Sequence, residues 1–329
     1  MKLERDGPVF PAKGPEKKAP RVTGVTHVLD RMQGPLSGEW WAHAAPYVDI
    51  VKIGWGLPLL FPRETIRRRI REYQSHAIEV STGGTLLELT IREGKAERFV
   101  TEARDLGFNI VEVSEGVIDL SPEQVEEMAE LVRSKGLEVL IEVGKKDIQH
   151  QYSLRETMSR LLHARKLSPR KVILESRESG KGVGIYDEIG GVKWDWVHAI
   201  TASLPMEDII FEAPREEQQI ALIKELGGEV NLGNVSPDSV FPLASQRLGL
   251  RGDTFGLPAH RALPEGSPAA KFVYFLIENH QGLEQGEIVS LSRLPRRTVQ
   301  MAVRELERQG LIAESISMRD ARRREYRCV

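Results

Sequence analysis

The chain has 329 residues, a net charge of −2 and one cysteine, Cys328, beside its C-terminus. That length allows one large core and a second small one, since single cores stop growing at about 250–300 residues. The near-neutral charge points the whole molecule to neither nucleic acid nor a membrane surface, and the lone cysteine excludes an internal disulfide and cysteine-based zinc, a composition that suits a reducing cytoplasm.

Residues 1–21 are charged and proline-rich without the apolar centre of a signal peptide, and read as a disordered tail. No apolar run approaches the ~20 residues of a membrane span. From Val25 onward, short Val/Ile/Leu runs alternate with helical stretches, the mark of a parallel sheet covered on both faces. The strands are expected at Val25–Asp30, Tyr47–Trp55, Ile78–Gly84, Asn109–Gly116, from Glu138, Lys171–Ser179, Asp208–Pro214 and Val230–Val235. Helices are expected from about Pro62 to Tyr73, in two pieces from Thr85 to Leu106, and from Ser121, an N-cap serine followed by proline. Further helices are expected at 153–166, 194–204, 216–227 and 236–248. Eight such repeats between residues 22 and 256 predict a (β/α)8 TIM barrel. An open doubly wound sheet is the competitor, but no GxGxxG follows the first strand.

Charge gathers at the strand exits. Asp30, Lys52, Glu112, Glu142, Lys146, Glu175, Arg177, Glu212 and Asn231 all fall in or just past the C-terminal halves of the expected strands, the end where barrel enzymes place their sites. In Glu138–Lys146 side chains alternate, so Glu142, Gly144 and Lys146 share one face and Lys145 points away. Carboxylates with few histidines favour a hard cation, Mg²⁺ by default. Glycine turns at 83–85, 180–184 and 233–234 offer backbone N–H groups to a phosphate.

These motifs together resemble the phosphosulfolactate synthases. The resemblance runs over THVLDR (26–31), VKIGWG (51–56), GGTLLE (83–88), EVSEG (112–116), IEVGKK (141–146), ESRESGKGVG (175–184), FEAP with a later QQ (211–214, 218–219), VNLGN (230–234) and LRGDTFG (250–256). It implies an oligomeric (β/α)8 lyase that adds sulfite to phosphoenolpyruvate with Mg²⁺, giving (2R)-phospho-3-sulfolactate for coenzyme M. It also implies Lys146 as the acid that protonates C2, with a pKa lowered by neighbouring cations, and Glu142, Asp30 and Lys52 beside it as catalytic candidates. Glu142, Glu175 and Glu212 become the metal candidates, and Arg177, Arg251, Gly83, Gly84 and Asn231 candidates for the substrate and its phosphate, with Lys52 a further cation for the anions. Three positions depart from the family pattern: Arg31 for lysine, Thr82 for proline and Leu87 for phenylalanine.

Residues 257–268 read as a linker. Beyond it, helices are expected at 269–279, 284–290 and 294–309 and two strands at 311–317 and 323–328, the order of a winged helix-turn-helix. From Lys271 on there are 11 Lys/Arg against 8 Asp/Glu, a net of +3. Arg293, Arg296, Arg297, Arg304, Arg322 and Arg323 would contact the phosphates of double-stranded DNA. The alternative to the enzyme is therefore a DNA-binding regulator whose barrel senses a phosphorylated or sulfonated metabolite.

Overall fold

The structure, a computed structural model, describes residues 21–32, 38–255, 257, 266–278, 280, 283–316 and 324–328. The chain divides into two compact units, residues 1–259 and 260–329. In the first, the order is β1 (Thr26–Asp30), α1 (Gly38–Ala44), β2 (Ile50–Ile53), α2 (Leu57–Leu60), α3 (Arg63–Ser75), β3 (Glu79–Thr82), α4 (Gly84–Arg92), α5 (Ala96–Leu106) and β4 (Ile110–Ser114). It continues α6 (Pro122–Ser134), β5 (Glu138–Val143), α7 (Leu154–Lys166), β6 (Lys171–Leu174), α8 (Trp194–Ser203), β7 (Ile209–Glu212), α9 (Glu216–Leu226), β8 (Leu232–Val235) and α10 (Val240–Arg247). The eight strands are parallel and close in sequence order, with β8 pairing back onto β1, so the fold is the TIM barrel and not the open sheet.

Strand alternation sorts the side chains into two cores. Val28, Val51, Val80, Val111, Val139, Val172 and Phe211 face outward into the layer beneath the helices. Val25, Ile50, Ile110, Leu140, Ile173 and Ile210 form a separate apolar cluster inside the barrel. One inward position further along each strand the chain carries His27, Lys52, Glu112, Glu142, Glu175 and Glu212, all buried. A dry plug thus lies directly beneath a charged layer.

The strands are shorter than the sequence pattern suggests, because their ends are used for turns. Tyr47, expected in the second strand, closes a 3₁₀ turn (Ala45–Tyr47), and the far end leaves through Trp55 and Gly56, whose φ values are 56° and 65°. Arg21, expected within the tail, is tied to Asp49 by two hydrogen bonds of 2.9 and 2.7 Å. Residues 1–20 lie outside the described residues.

The second unit holds α11 (Pro268–Glu278), β9 (Leu283–Glu284), α12 (Gln285–Ser292), α13 (Arg296–Arg308), β10 (Ile312–Ile316) and β11 (Arg324–Cys328). The strands form a small antiparallel sheet in the order β10-β11-β9. Ala270, Val273 and Ile277 of α11 pack with Ile288 of α12 and with Val299, Ala302, Val303 and Leu306 of α13. The α13 positions follow i, i+3, i+4, i+7 spacing, so one face of that helix is committed to the core.

Two barrel helices begin with reciprocal caps. Ser121 accepts from the N–H of Gln124 at 3.3 Å while the Gln124 side chain accepts from the Ser121 N–H at 2.9 Å, and Ser153 and Glu156 repeat the device on α7. Ser121→Ala is expected to cost about 1 kcal/mol of barrel stability, read from the urea midpoint.

Candidate active site

Lys52, at the inward side of β2, sets the geometry of the charged layer. Its ammonium lies 3.0 Å from Glu212, 3.3 Å from Glu112 and 3.6 Å from Glu142, carboxylates delivered by β7, β4 and β5. Lys146, four residues beyond Glu142, reaches back from the loop after β5. Its ammonium is 3.1 Å from each of Glu142 Oε1, Glu175 Oε2 and Thr85 Oγ1. The Lys146 methylenes run across Gly116, where a Cβ would meet them at 3.0 Å, and the Lys146 N–H donates to the Gly116 carbonyl at 2.9 Å. Glycine in the loop after β4 therefore makes the path that this lysine follows. Lys145 turns the other way, as alternation requires, and its ammonium donates to the carbonyls of Glu115 and Ile118 at 2.8 Å each.

These groups line a small cavity of about 40 Å³ together with Leu29, Gly54, Trp55, Gly83, Thr85, Glu178 and Asn234. The Lys146 side chain is 27% exposed where those of Glu142 and Glu175 are 1% and 2%, so the lysine stands at the mouth with the exposed Glu178 while the buried carboxylates form the floor. Trp55 stands half-exposed at the rim. Its indole N–H donates to Glu178 at 2.5 Å, and the guanidinium of Arg31 lies 5.0 Å from its ring centroid. Asn234 is buried in the left-handed region (φ 52°), and its Oδ1 accepts no hydrogen bond among the described residues.

Fully ionised, four carboxylates against two ammoniums would carry an excess of two negative charges, which retained protons offset. Burial pushes Glu112 up to about 8, despite the pull of Lys52. Burial also drives Glu175 well above the carboxylate range, with Glu142 and Glu212 adding to it, and raises Glu212. Burial acts on Glu142 the same way, but Lys146 and Lys52 outweigh it and hold that carboxyl below its ordinary value. Glu112 Oε2, Glu142 Oε2 and Glu175 Oε2 face the ammoniums yet accept no well-aligned hydrogen bond. One oxygen each from Glu142, Glu175 and Glu212 can be chosen so that all lie within 4.8 Å of one another. Converging hard oxygens, unsatisfied lone pairs and retained protons that a cation would displace fit a divalent cation.

The other residues singled out from sequence divide. Gly84 is required: a Cβ there would sit 2.2 Å from Ser114 Oγ, and its N–H donates to Glu112 Oε1 at 2.9 Å. Gly83 packs against Gly54 and forms the N-cap of α4, with no side chain capping that end. Arg177 holds the floor through its backbone, whose N–H donates to Glu175 Oε1 at 2.6 Å, but its guanidinium is not among the groups lining the cavity. Three residues lie elsewhere. Asp30 faces outward, where Tyr73 Oη donates to it at 2.5 Å and Arg69 of α3 at 3.0 Å. Asn231 precedes β8, at the opposite end from the expected one, and spends its amide on the Val25 N–H and the carbonyls of Met206, Glu207 and Ile209. Arg251 pairs with Glu216 of α9.

Lys146 also departs from expectation. Burial alone would lower its pKa, but Glu142 and Glu175 outweigh it and raise it well above the ordinary value. Its neighbours are carboxylates and not the cations that a lowered pKa needs. The glycines at 180–184 are likewise no open phosphate cradle: the N–H groups of Gly180, Gly182 and Gly184 are taken by Arg177 O, Asp187 O and Gln151 Oε1.

The three family departures find plain uses. Thr82 Oγ1 accepts the Glu112 N–H at 3.3 Å, Leu87 is fully buried in the core, and Arg31 stacks on Trp55. Thr85, Asn234, Trp55 and Glu178 join the cavity without having been singled out as site residues; only the glycine turns at 83–85 and 233–234 hinted at the first two.

Two outcomes are expected. Asp30→Ala strands the mostly buried Arg69 and should cost about 3 kcal/mol of stability, read by denaturant unfolding. In metal-free protein Glu112 keeps its proton up to about 8, whereas the unfolded carboxylate releases it near the ordinary 4.5. Its contribution to stability is thus full below 4.5 and lost as pH rises through 8, and Glu112→Gln, which still accepts from Gly84, should flatten that decline in pH-dependent melts.

The family model of (2R)-phospho-3-sulfolactate synthase (ComA) matches residues 14–253. The phosphosulfolactate synthase of Methanothermobacter thermautotrophicus is 39% identical over 245 residues, 74% of this chain and 95% of the relative. That of Methanocaldococcus jannaschii is 37% identical, covering 71% of this chain and 94% of the relative. The Bacillus subtilis phosphosulfolactate synthase is 34% identical, covering 72% and 94%. With the model spanning the whole barrel and Lys146, Glu142 and Glu175 meeting in its mouth, this chain belongs to the phosphosulfolactate synthase family.

Proposed function

We propose that the barrel is a carbon–sulfur lyase that adds sulfite to phosphoenolpyruvate to give (2R)-phospho-3-sulfolactate, the step that serves coenzyme M synthesis. The observation that carries this reading is Lys146, its ammonium suspended between Glu142 and Glu175 at the mouth of an acidic cavity in a chain of this family. The sulfur lone pair of sulfite forms a bond to C3, and the C2–C3 π pair moves onto C2 and the substrate carboxylate as an enediolate. A proton delivered to C2 from one face then fixes the R configuration. Lys146 is the group placed to deliver it.

Glu142, Glu175 and Glu212 would hold Mg²⁺, which would supply positive charge against the developing enediolate. Two of these carboxylates are the ones that hold the Lys146 proton tightly, and engaging them elsewhere frees that proton for transfer. Above the acidic floor, Thr85 and Asn234 offer neutral polar groups to the anionic ends of the substrates. Lys52 keeps Glu112, Glu142 and Glu212 in register from the floor of the same cavity. The lone Cys328 and the absence, among the described residues, of a helix long and apolar enough to cross a membrane suit an enzyme of the cytoplasm.

We read the second unit as a winged-helix module. Its helix, strand, helix, helix, hairpin order and the three residues between α12 and α13 support this.

The full chain with phosphoenolpyruvate, sulfite and Mg²⁺ should form phosphosulfolactate by NMR and stop when EDTA is added. Lys146→Ala should lower turnover by about 10²–10⁴-fold with an unchanged melting curve. Turnover near the parent level would remove Lys146 from the mechanism, and no product from the parent protein would refute the assignment.

A further inference from the structure

The residues named for the chemistry of the barrel all belong to the first unit. Within that unit, α12 and α13 are joined by residues 293–295, with Arg293 in the left-handed region at φ 55°. So short a turn, reversed by one left-handed residue, is the join of a helix-turn-helix. The 13-residue α13 buries Val299, Ala302, Val303 and Leu306 and turns the opposite face outward. That face carries Arg297, Gln300, Arg304 and Arg308, with Arg293 and Arg296 at the approach to it, all exposed.

What distinguishes these arginines is their grouping on and beside one helix face. On the barrel, Arg67 and Arg71 both pair with Glu64, Arg98 with Glu102 and Arg104 with Asp105, while the exposed Arg68, Arg92 and Arg155 lie on three different helices. The guanidiniums of Arg293, Arg296, Arg297 and Arg304 make no hydrogen bond or ion pair among the described residues; at Arg304 only the backbone carbonyl is engaged by a side chain, accepting from Arg308 Nε at 3.3 Å. A row of unpaired guanidiniums on one helix face repels itself, and it is relieved by a polyanion. Arg297, Gln300 and Arg304 fall at i, i+3, i+7, one stripe along the helix. All three side chains can form paired hydrogen bonds with base edges, arginine with guanine and glutamine with adenine. Met301, 64% exposed, is the large apolar side chain on this face, too little for a protein interface built on burial.

We propose that the second unit binds double-stranded DNA, with α13 in the major groove and Arg293 and Arg296 on the flanking phosphates. The inference rests on the winged-helix reading of this unit and is independent of what the barrel catalyses. A helix about 10–12 Å across with its side chains fits a groove about 12 Å wide. The partner is a nucleic acid and not an acidic peptide because the donors are spread along a full helix face at groove spacing.

The test uses the full chain and a fluorescent DNA duplex followed by anisotropy. With the two phosphate contacts of Arg293 and Arg296, affinity should fall about tenfold between roughly 50 and 200 mM salt. Arg297→Gln with Arg304→Gln, which keeps side-chain length, should weaken binding at least about tenfold with unchanged thermal unfolding. No binding at the lowest salt would overturn the proposal, as would equal binding by the double variant. A salt-insensitive dimer that forms through α13 without DNA, seen by light scattering, would overturn it in favour of a protein partner. An experimental structure of the unit separates the two levels: a winged fold without DNA binding removes this inference alone, and a different fold removes the reading beneath it.

Discussion

The ammonium of Lys52, held among Glu112, Glu142 and Glu212, is the interaction on which the rest of the barrel's mouth depends. Burying a charge is costly unless it is paired, and burying four carboxylates in one layer is costlier still. The chain meets that cost in three ways: two lysines, protons retained on carboxylates whose pKa values burial raises, and backbone donors such as Gly84, Ser176 and Arg177. With those protons in place the layer is close to neutral, and it rests on the apolar plug. The proposed divalent cation would take the place of the retained protons.

Much of this was legible from the sequence because strand periodicity and barrel closure are both local rules. A hydrophobic residue two places before a charged one, as in Ile50 and Lys52, Ile110 and Glu112, Leu140 and Glu142, Ile173 and Glu175, or Ile210 and Glu212, states that plug and charge share the inward face. The same rule separated Lys146 from Lys145. What failed was whatever needed a strand end or a partner. Asp30 sits at the tip of β1, and one further residue of alternation turns it outward to Arg69 and Tyr73. Asn231 was only the second residue of the strand expected at Val230–Val235, and with β8 beginning at Leu232 it lies before the strand, at the entry end. The sign of the Lys146 shift could not be read at all from a sequence in which basic and acidic residues are nearly equal in number, 46 Lys/Arg against 48 Asp/Glu. It depends on which ones converge.

The second unit shows the complementary lesson. Its helices and strands follow from periodicity, but the short β9 that completes the sheet has no pattern of its own in a two-residue segment. Arg322 and Arg323, expected to contact DNA, lie outside the described residues, so the argument there rests on α13 alone. Unpaired arginines on one helix are a property of the folded unit, visible only once their potential partners have been placed.

The central claim is that the acidic floor is a divalent cation site. Calorimetric titration of the full chain with Mg²⁺, beside a Glu175→Gln variant, tests it most directly. The account expects one cation bound per chain and a sharp loss of affinity in the variant. Absence of Mg²⁺ binding to the parent protein, or equal binding by the variant, would contradict it.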